Sequence, residues 1–358
     1  YSDTLNSNIE DVTIFNIGNQ AALADWDEYA MDLNGTAIAA ELNTNDFNLY
    51  NEAGELKALG NCYESFGIIV NTKLLAEAGY SLADITNFET LKAVAEDIHA
   101  RAAELGFDAF TSAGMDGSSS WRFTGHLINM EYYYESVDAP EAWAVCPPAI
   151  EGTYMDNYRN LYDLMVVNSA TPRADLANGG FDAAAEFANE EALFYFNGNW
   201  EWSGLSEKGM TAENLSMIPY YGGIEGEEKA GLNCGTENYW AVNSEASEED
   251  IQATLDFMYW LVTDAEASRI AVDSFGVMPY KAAAESTNPF LADANAYANA
   301  GNYTMPWVTN YQPNVDAYRA TAVSALNAYN AAPSDATWAD VVTAFVDGWA
   351  VQYAAANG

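Results

Sequence analysis

Two spacings of apolar residues alternate along the chain. Short continuous apolar runs mark buried strands, and apolar positions recurring every three or four residues mark helices with one face against a core. "DVTIFNIGN" predicts a strand over Val12–Phe15 that ends in a polar, Gly-containing loop. "SFGIIVN" (65–71), "EALFYFNGNW", "LSMIPYY" (215–221) and "NYWAVN" (238–243) predict further strands, the second of these running into a turn and a helix start. In "TNFETLKAVAEDIHARAAELG", Leu91, Val94, Ala95, Ile98, Ala102 and Leu105 keep helical spacing. Thr86 and Glu89 are placed as a capping box, and Gly106 as the stop. Ser247–Asp250 caps another helix, with Ile251, Leu255, Met258, Tyr259 and Val262 as its stripe. A last helix starts near Thr337 and turns Val342, Phe345, Val346, Trp349 and Tyr353 to one side. Strands alternating with helices throughout, with no internal repeat, predict an α/β fold.

Composition narrows the partners. The 358 residues are half hydrophobic, enough for a sizeable core in two domains or one large one. Twelve Lys plus Arg face 53 Asp plus Glu, a net charge of -41, which argues against nucleic acid and anionic membrane surfaces. The acid is spread along the chain rather than gathered in a tail, as in an acidic, folded, exterior protein. No apolar run approaches bilayer-spanning length, and Tyr1 opens into polar sequence without the apolar stretch of a leader.

Catalytic signatures are missing. The chain has no GxSxG, HExxH, Walker A or GxGxxG pattern. Cys62, Cys146 and Cys234 lack metal-ligand spacing, so neither a metal nor a cofactor is expected. His99 and His126 read as surface or packed helix residues, and among so many carboxylates no acid–base pair can be singled out. Scarce motifs beside 13% Phe, Tyr and Trp favour a binder over a catalyst. "LFYFNGNWEWSGL" (193–205) concentrates the rings. A pyranose packs its C–H face on an aromatic ring while its hydroxyls need polar partners at the rim. Trp200 and Trp202 are two apart and would point to opposite sides of a helix, so spacing alone leaves open whether one lines a cleft or both are core.

The order of four segments resembles the bacterial extracellular solute-binding proteins of family 1, the maltose-binding-protein-like sugar receptors of ATP-driven importers. "DVTIFNIGNQAALADWDEYAMDLNG" resembles the strand that ends at the ligand cleft. "CYESFGIIVNTKLLAEAGY" with the helix after it resembles the first crossover strand and its sequel. "ALFYFNGNWEWSGL" resembles the apolar strand plus Gly-x-Trp, and "NCGTENYWAVNSEASEEDIQATLDFMYWLVTDAEASRIAVDSFGVMPYKAA" the return crossover, its helix and the closing Gly-x-x-Pro. The resemblance implies a two-lobed periplasmic-binding-protein-like fold with crossover hinge strands. One lobe comprises residues 1–63 and 237–278, the other 68–232 and 284–358, with hinges near 64–67, 233–236 and 279–283. Relatives begin with a further strand and helix, on the order of 30 residues, so the first lobe is expected to be incomplete at its start.

The resemblance also assigns residues. Trp200 matches the indole that stacks on sugar in maltose-binding relatives, leaving Trp202 a core or rim role, and Trp121 matches a second stacking ring. Asn19 and Gln20 occupy positions where relatives carry a charged Asp-Arg pair, so hydroxyl bonds here would lack charge assistance. Glu64, beside the hinge, matches an acidic ligand contact; Tyr63, Thr236, Glu237, Trp307 and Tyr311 are further cleft candidates. Cys62 and Cys234 fall one on each crossover, leaving open a hinge disulfide or two free thiols, with Cys146 unpaired. The implied function is a monomeric, extracellular, lipid-anchored receptor that captures an oligosaccharide and delivers it to the transmembrane subunits of an ABC permease, without catalysis. The alternatives are a receptor for a non-sugar solute such as a polyamine, or a glycan-binding or glycan-cleaving surface protein outside import.

Overall fold

The computed structural model describes residues 12–45, 47–112, 114–115, 119–236 and 239–357. The chain divides into two units, Tyr1–Glu64 with Gly235–Asn288, and Ser65–Cys234 with Pro289–Gly358, so it passes between them three times.

The first unit is built on four strands, β1 (Ile14–Ile17), β2 (Asn48–Tyr50), β3 (Leu56–Gly60) and β9 (Tyr239–Val242), in the order β1-β9-β3-β2 with every pair antiparallel. Residues Leu56, Leu59 and Val242 pack with Met258, Val262, Ala271 and Val272 of the helices Glu248–Thr263 and Ala265–Phe275. Ile17, Leu49, Ala58, Tyr239 and Ala241 form a second cluster with Leu23 and Ala30. Of these strands the sequence pattern predicts only β1 and β9; β2 and β3 are short or interrupted by Lys57 and carry no clear apolar run.

The second unit carries β4 (Glu64–Asn71), β5 (Asp108–Phe110), β6 (Ala192–Gly198), β7 (Leu215–Ile218), β8 (Ala230–Gly235) and β10 (Tyr303–Pro306). Their order is β10-β8-β4-β6-β5, with β7 also paired to β4. β4 and β6 run antiparallel with Phe66 opposite Gly198, which brings the start of one strand to the end of the other. A large aromatic core lies behind them, including Phe66, Phe123, Tyr158, Tyr162, Phe194, Phe345 and Trp349. No described helix is long and apolar enough to cross a membrane.

Several local expectations move. The helix after the first crossover begins at Phe88, capped by Asn87 and not Thr86: Asn87 Oδ1 accepts from Thr90 N at 3.0 Å while Thr90 Oγ1 accepts from Asn87 N at 3.1 Å. Asn caps as well as Thr and sits one residue nearer the first turn. The helix breaks at Arg101, and Gly106 ends the following turn at φ 84°. In the helix Glu248–Thr263 Tyr259 stays 38% exposed, and the inward position goes to Thr254, whose hydroxyl bonds Asp250 O at 2.7 Å. The last helix starts at Asp335 and buries Trp338 and Val341 as well as Phe345 and Trp349. Cys62 and Cys234 are both free, as is Cys146.

A carboxyl pair is built into the aromatic core. Glu131 and Glu135, one turn apart on the helix Asn129–Asp138, are buried and hold the loop before the helix Met155–Val167. Glu131 Oε2 accepts from Tyr154 N at 2.5 Å, and Glu135 accepts from Glu151 N at 2.9 Å and Gly152 N at 3.1 Å. Burial pushes the Glu131 carboxyl up to about 9, and Glu135 adds to this by accepting its proton and by its charge. The folded state therefore holds a proton that the unfolded chain releases near pH 4.5, so this contribution to stability is complete below that pH and lost as pH rises toward 9. A slope of up to about 1.4 kcal/mol per pH unit follows. Denaturant unfolding between pH 5 and 9 should show stability falling with pH, and Glu131→Gln, neutral at every pH, should flatten the slope and raise stability most at pH 9.

Candidate functional site

The turn Asn197-Gly198-Asn199 places a large ring at the end of β6. Asn199 N donates to Ser65 O at 2.8 Å and Asn199 Oδ1 accepts from Ser65 N at 2.7 Å, which locks the turn to the start of β4. The helix Glu201–Glu207 then begins directly after Trp200. The indole of Trp200 folds back over Gly198, where a Cβ would overlap its Cζ3 and Cη2 atoms. Glycine is required here for close approach, not for an unusual φ.

Trp200 is half-buried within a group of rings. Its centroid lies 5.8 Å from that of Trp121 at an interplanar angle of 51°, and 5.8 Å from both Phe66 and His126. Trp121, also half-buried, precedes a π-helical turn, Arg122–Leu127, which leads into the helix Asn129–Asp138. That turn carries His126 under the pair, stacked on Phe66 at 4.0 Å and 4°, and edge-on to Trp121 at 5.4 Å. Trp307, 5% exposed, stands edge-on behind His126 at 4.8 Å. Phe196 and Tyr220 meet Phe66 edge-on at 4.7 and 6.3 Å. Such tilted and edge-to-face contacts at 4–7 Å suit the ring quadrupoles.

The electrostatics of the cluster keep it neutral at its centre. Burial, then the charges of Arg319 and Arg122, hold His126 well below the usual imidazole range, so the ring is uncharged at neutral pH. The Arg122 guanidinium lies 5.1 Å over the Trp121 ring and 5.6 Å over Tyr195. Burial raises the Glu201 carboxyl, against hydrogen bonds from Tyr195 and Asn197 and the charge of Arg122.

The structure therefore brings together Trp121, Trp200 and Trp307. Trp202 points elsewhere, packing edge-on to Phe290 at 6.4 Å. Tyr311 sits beside Trp143 at 6.4 Å, with its carbonyl accepting from Cys146 Sγ at 3.1 Å. Asn19, Gln20, Tyr63, Glu64 and Thr236 belong to the first unit or border it. There Asn19 Oδ1 accepts from Ala22 N at 2.8 Å, and Gln20 Nε2 donates to Tyr50 O at 3.1 Å. Tyr63 stacks on Phe47 at 4.7 Å and 10°, Glu64 opens β4, and Thr236 is buried. Glu237 lies outside the described residues. Sequence reading missed His126, Phe66, Phe196 and Arg122 as members of the cluster. The only hint was that Trp121, Arg122 and His126 fall within six residues, and a π-helical register is not visible in a side-chain pattern.

Comparison with known proteins places this geometry in context. The family model described as bacterial extracellular solute-binding protein matches residues 2–299. Comparison with curated protein sequences gives no match. Among solved structures the chain is similar to ligand-free RafE from Streptococcus pneumoniae, at 16% identity and TM-score 0.70, covering 96% of this chain and 87% of that one. It is similar to a family 1 extracellular solute-binding protein from Bifidobacterium longum subsp. infantis, at 17% identity and TM-score 0.69, covering 98% and 89%. A sugar transporter from Bacillus licheniformis, solved in complex with stachyose, aligns at 16% identity and TM-score 0.66, covering 98% and 89%. At these identities the likeness establishes the two-lobed fold class.

Gly198→Ala tests the seat of the indole. Its methyl should push Trp200 off the strand end, costing about 1–3 kcal/mol as for other overpacked sites. Denaturant unfolding should show the loss, and a red shift in tryptophan emission, absent in a Trp200→Phe background, should report the displaced ring.

Proposed function

We propose, for a chain that belongs to the bacterial extracellular solute-binding protein family, that the solute is a carbohydrate, an oligosaccharide, held by aromatic stacking on Trp200 and Trp121. The observation that carries this reading is the indole pair itself: two half-buried rings 5.8 Å apart over a neutral His126 at a strand end. Indole faces left partly open in this way suit the C–H faces of sugar rings, and two of them suit a ligand longer than one ring. The charged group packed on Trp121 is a guanidinium, Arg122, not a carboxylate, which favours a neutral glycan over a polyamine. Relatives of the same fold support the class: RafE was solved with raffinose, and others with stachyose and with the blood group A-trisaccharide.

In this reading Asn19, Gln20, Tyr63, Glu64, Thr236 and Glu237 supply hydroxyl contacts, and Trp307 backs the platform from behind His126. Glycan contact with both lobes shifts an open–closed equilibrium about the chain crossings. The protein acts as a monomer, tethered by a lipid anchor outside the cell, and hands its ligand to the transmembrane subunits of an ABC permease. No bond is made or broken in the ligand.

Calorimetry against raffinose, stachyose, chito- and xylo-oligosaccharides and simple hexoses, with spermidine as the contrasting ligand, decides the class. One oligosaccharide series should bind reversibly, and Trp200→Ala should weaken the best member about 10- to 100-fold, or about 1.4–2.8 kcal/mol. Binding of spermidine alone, or full glycan affinity in Trp200→Ala, would overturn the reading.

A further inference from the structure

We infer that His126 is the positioning residue of the indole pair: its imidazole, laid flat on Phe66, forms a plate that Trp121 and Trp200 both meet, and so sets the angle between the two rings. The inference rests on the reading that this pair stacks on a glycan.

The plate is assembled from two segments far apart in the chain. Phe66, near the start of β4, is fully buried, and the imidazole of His126, 7% exposed, stacks on it at 4.0 Å and 4°. Two rings so nearly parallel present a single orientation to their neighbours. Trp121 meets both close to edge-on, at 77° to His126 and 72° to Phe66. Trp200 meets both at a lower tilt, 44° and 42°. The centroid separations, 5.4 and 6.3 Å for Trp121 and 5.8 Å in both cases for Trp200, are those of aromatic rings in contact. Trp307 closes the far side, edge-on to the imidazole at 4.8 Å. Tyr220 Oη donates to His126 O at 2.7 Å, which ties the backbone here to the segment after β7.

The backbone explains how this contact is possible. Trp121 and His126 are five residues apart, a spacing that on an α-helix turns two side chains about 140° from one another. Here Ile128 N donates to Phe123 O at 3.3 Å, an i→i+5 bond of the π-helical turn Arg122–Leu127. The wider turn brings Trp121 and His126 to one side, one above the other, and their rings meet. Gly198 confines Trp200 from one side and the Arg122 guanidinium covers Trp121, but neither of these contacts fixes one indole against the other. His126 and Phe66 each touch both. Rings held in this way do not have to be ordered by each ligand. An angle of 51° set in advance selects glycans whose successive rings present their C–H faces at a matching tilt.

Fluorine NMR of ligand-free protein carrying 5-fluorotryptophan tests the plate. Trp121→Phe, Trp200→Phe and Trp307→Phe assign the three resonances. His126→Leu, which keeps apolar bulk without a flat ring, should shift or broaden all three. Trp338, packed on Tyr158 and Tyr329, and Trp349, packed on Tyr132, should stay in place. His126→Phe keeps the flat ring and should return the three resonances toward their wild-type positions. With the tightest-binding glycan of the calorimetric panel, His126→Leu should weaken affinity about tenfold, and His126→Phe should recover most of that loss. Should His126→Leu not fold, Phe66→Leu, which removes the other layer of the plate, makes the same contrast with His126→Phe. Three results would overturn the proposal: unmoved resonances for residues 121 and 200, a general shift of all tryptophans, or His126→Phe losing as much affinity as His126→Leu. The last would mean that the imidazole acts through its nitrogens and not as a flat support. If no glycan binds, the functional reading fails while the fluorine pattern still decides the plate.

Discussion

The second unit depends on a close approach: the indole of Trp200 lies on the Cα of Gly198, at the point where β6 ends opposite the start of β4. Only a residue without a side chain permits that contact. It turns a half-buried indole back over the sheet end, where Phe66 and His126 meet it from the neighbouring elements. The reciprocal bonds between Asn199 and Ser65 hold the turn in register, so the ring's position is fixed by backbone geometry and not by packing alone.

Around this contact the molecule resolves a conflict between burial and polarity. A platform for a neutral, hydroxyl-rich ligand needs flat apolar faces, yet the segment contains a histidine, an arginine and a glutamate. Each is accommodated differently. His126 is desolvated to its neutral form and stacked on Phe66. Arg122 spreads its charge over two aromatic faces. Glu201, beside Trp200, has its carboxyl raised by burial. The cluster thus behaves as an apolar surface although it is not composed only of apolar residues. The Glu131–Glu135 pair deeper in the same unit follows another route, in which a retained proton takes the place of a counter-charge.

Five strands, β1, β4, β6, β7 and β9, and three of the longer helices were legible in the sequence because their signals are local. The continuous apolar runs at 65–71 and 192–198, the Ser247 cap and the Gly106 stop each rest on neighbouring residues or on one backbone preference. Short strands such as Asn48–Tyr50 and Leu56–Gly60 and the helices Met155–Val167 and Val315–Ala331 were not legible; within the elements that were, Asn87 displaced Thr86 as cap, the helix broke at Arg101, and Tyr259 stayed exposed while Thr254 turned inward. The cap and the stripe were near-equal local choices that packing decides, and the short strands carry too few residues for a pattern of their own.

The sequence by itself determined the α/β class, the acidity that turns the protein away from polyanions, and the order of segments shared with solute-binding relatives. Spacing left Trp200 open between cleft and core, and only the resemblance singled out Trp121 and Trp200 as a stacking pair. Tertiary structure decided what those rings do together. Their separation and angle and the packing of Trp307 behind His126 depend on contacts between residues far apart in the chain, Trp121 with Trp200 and His126 with Trp307. Periodicity shows which face of an element turns inward. It carries no information on which distant face it will meet, and that meeting fixes both the geometry and the charge state of a site.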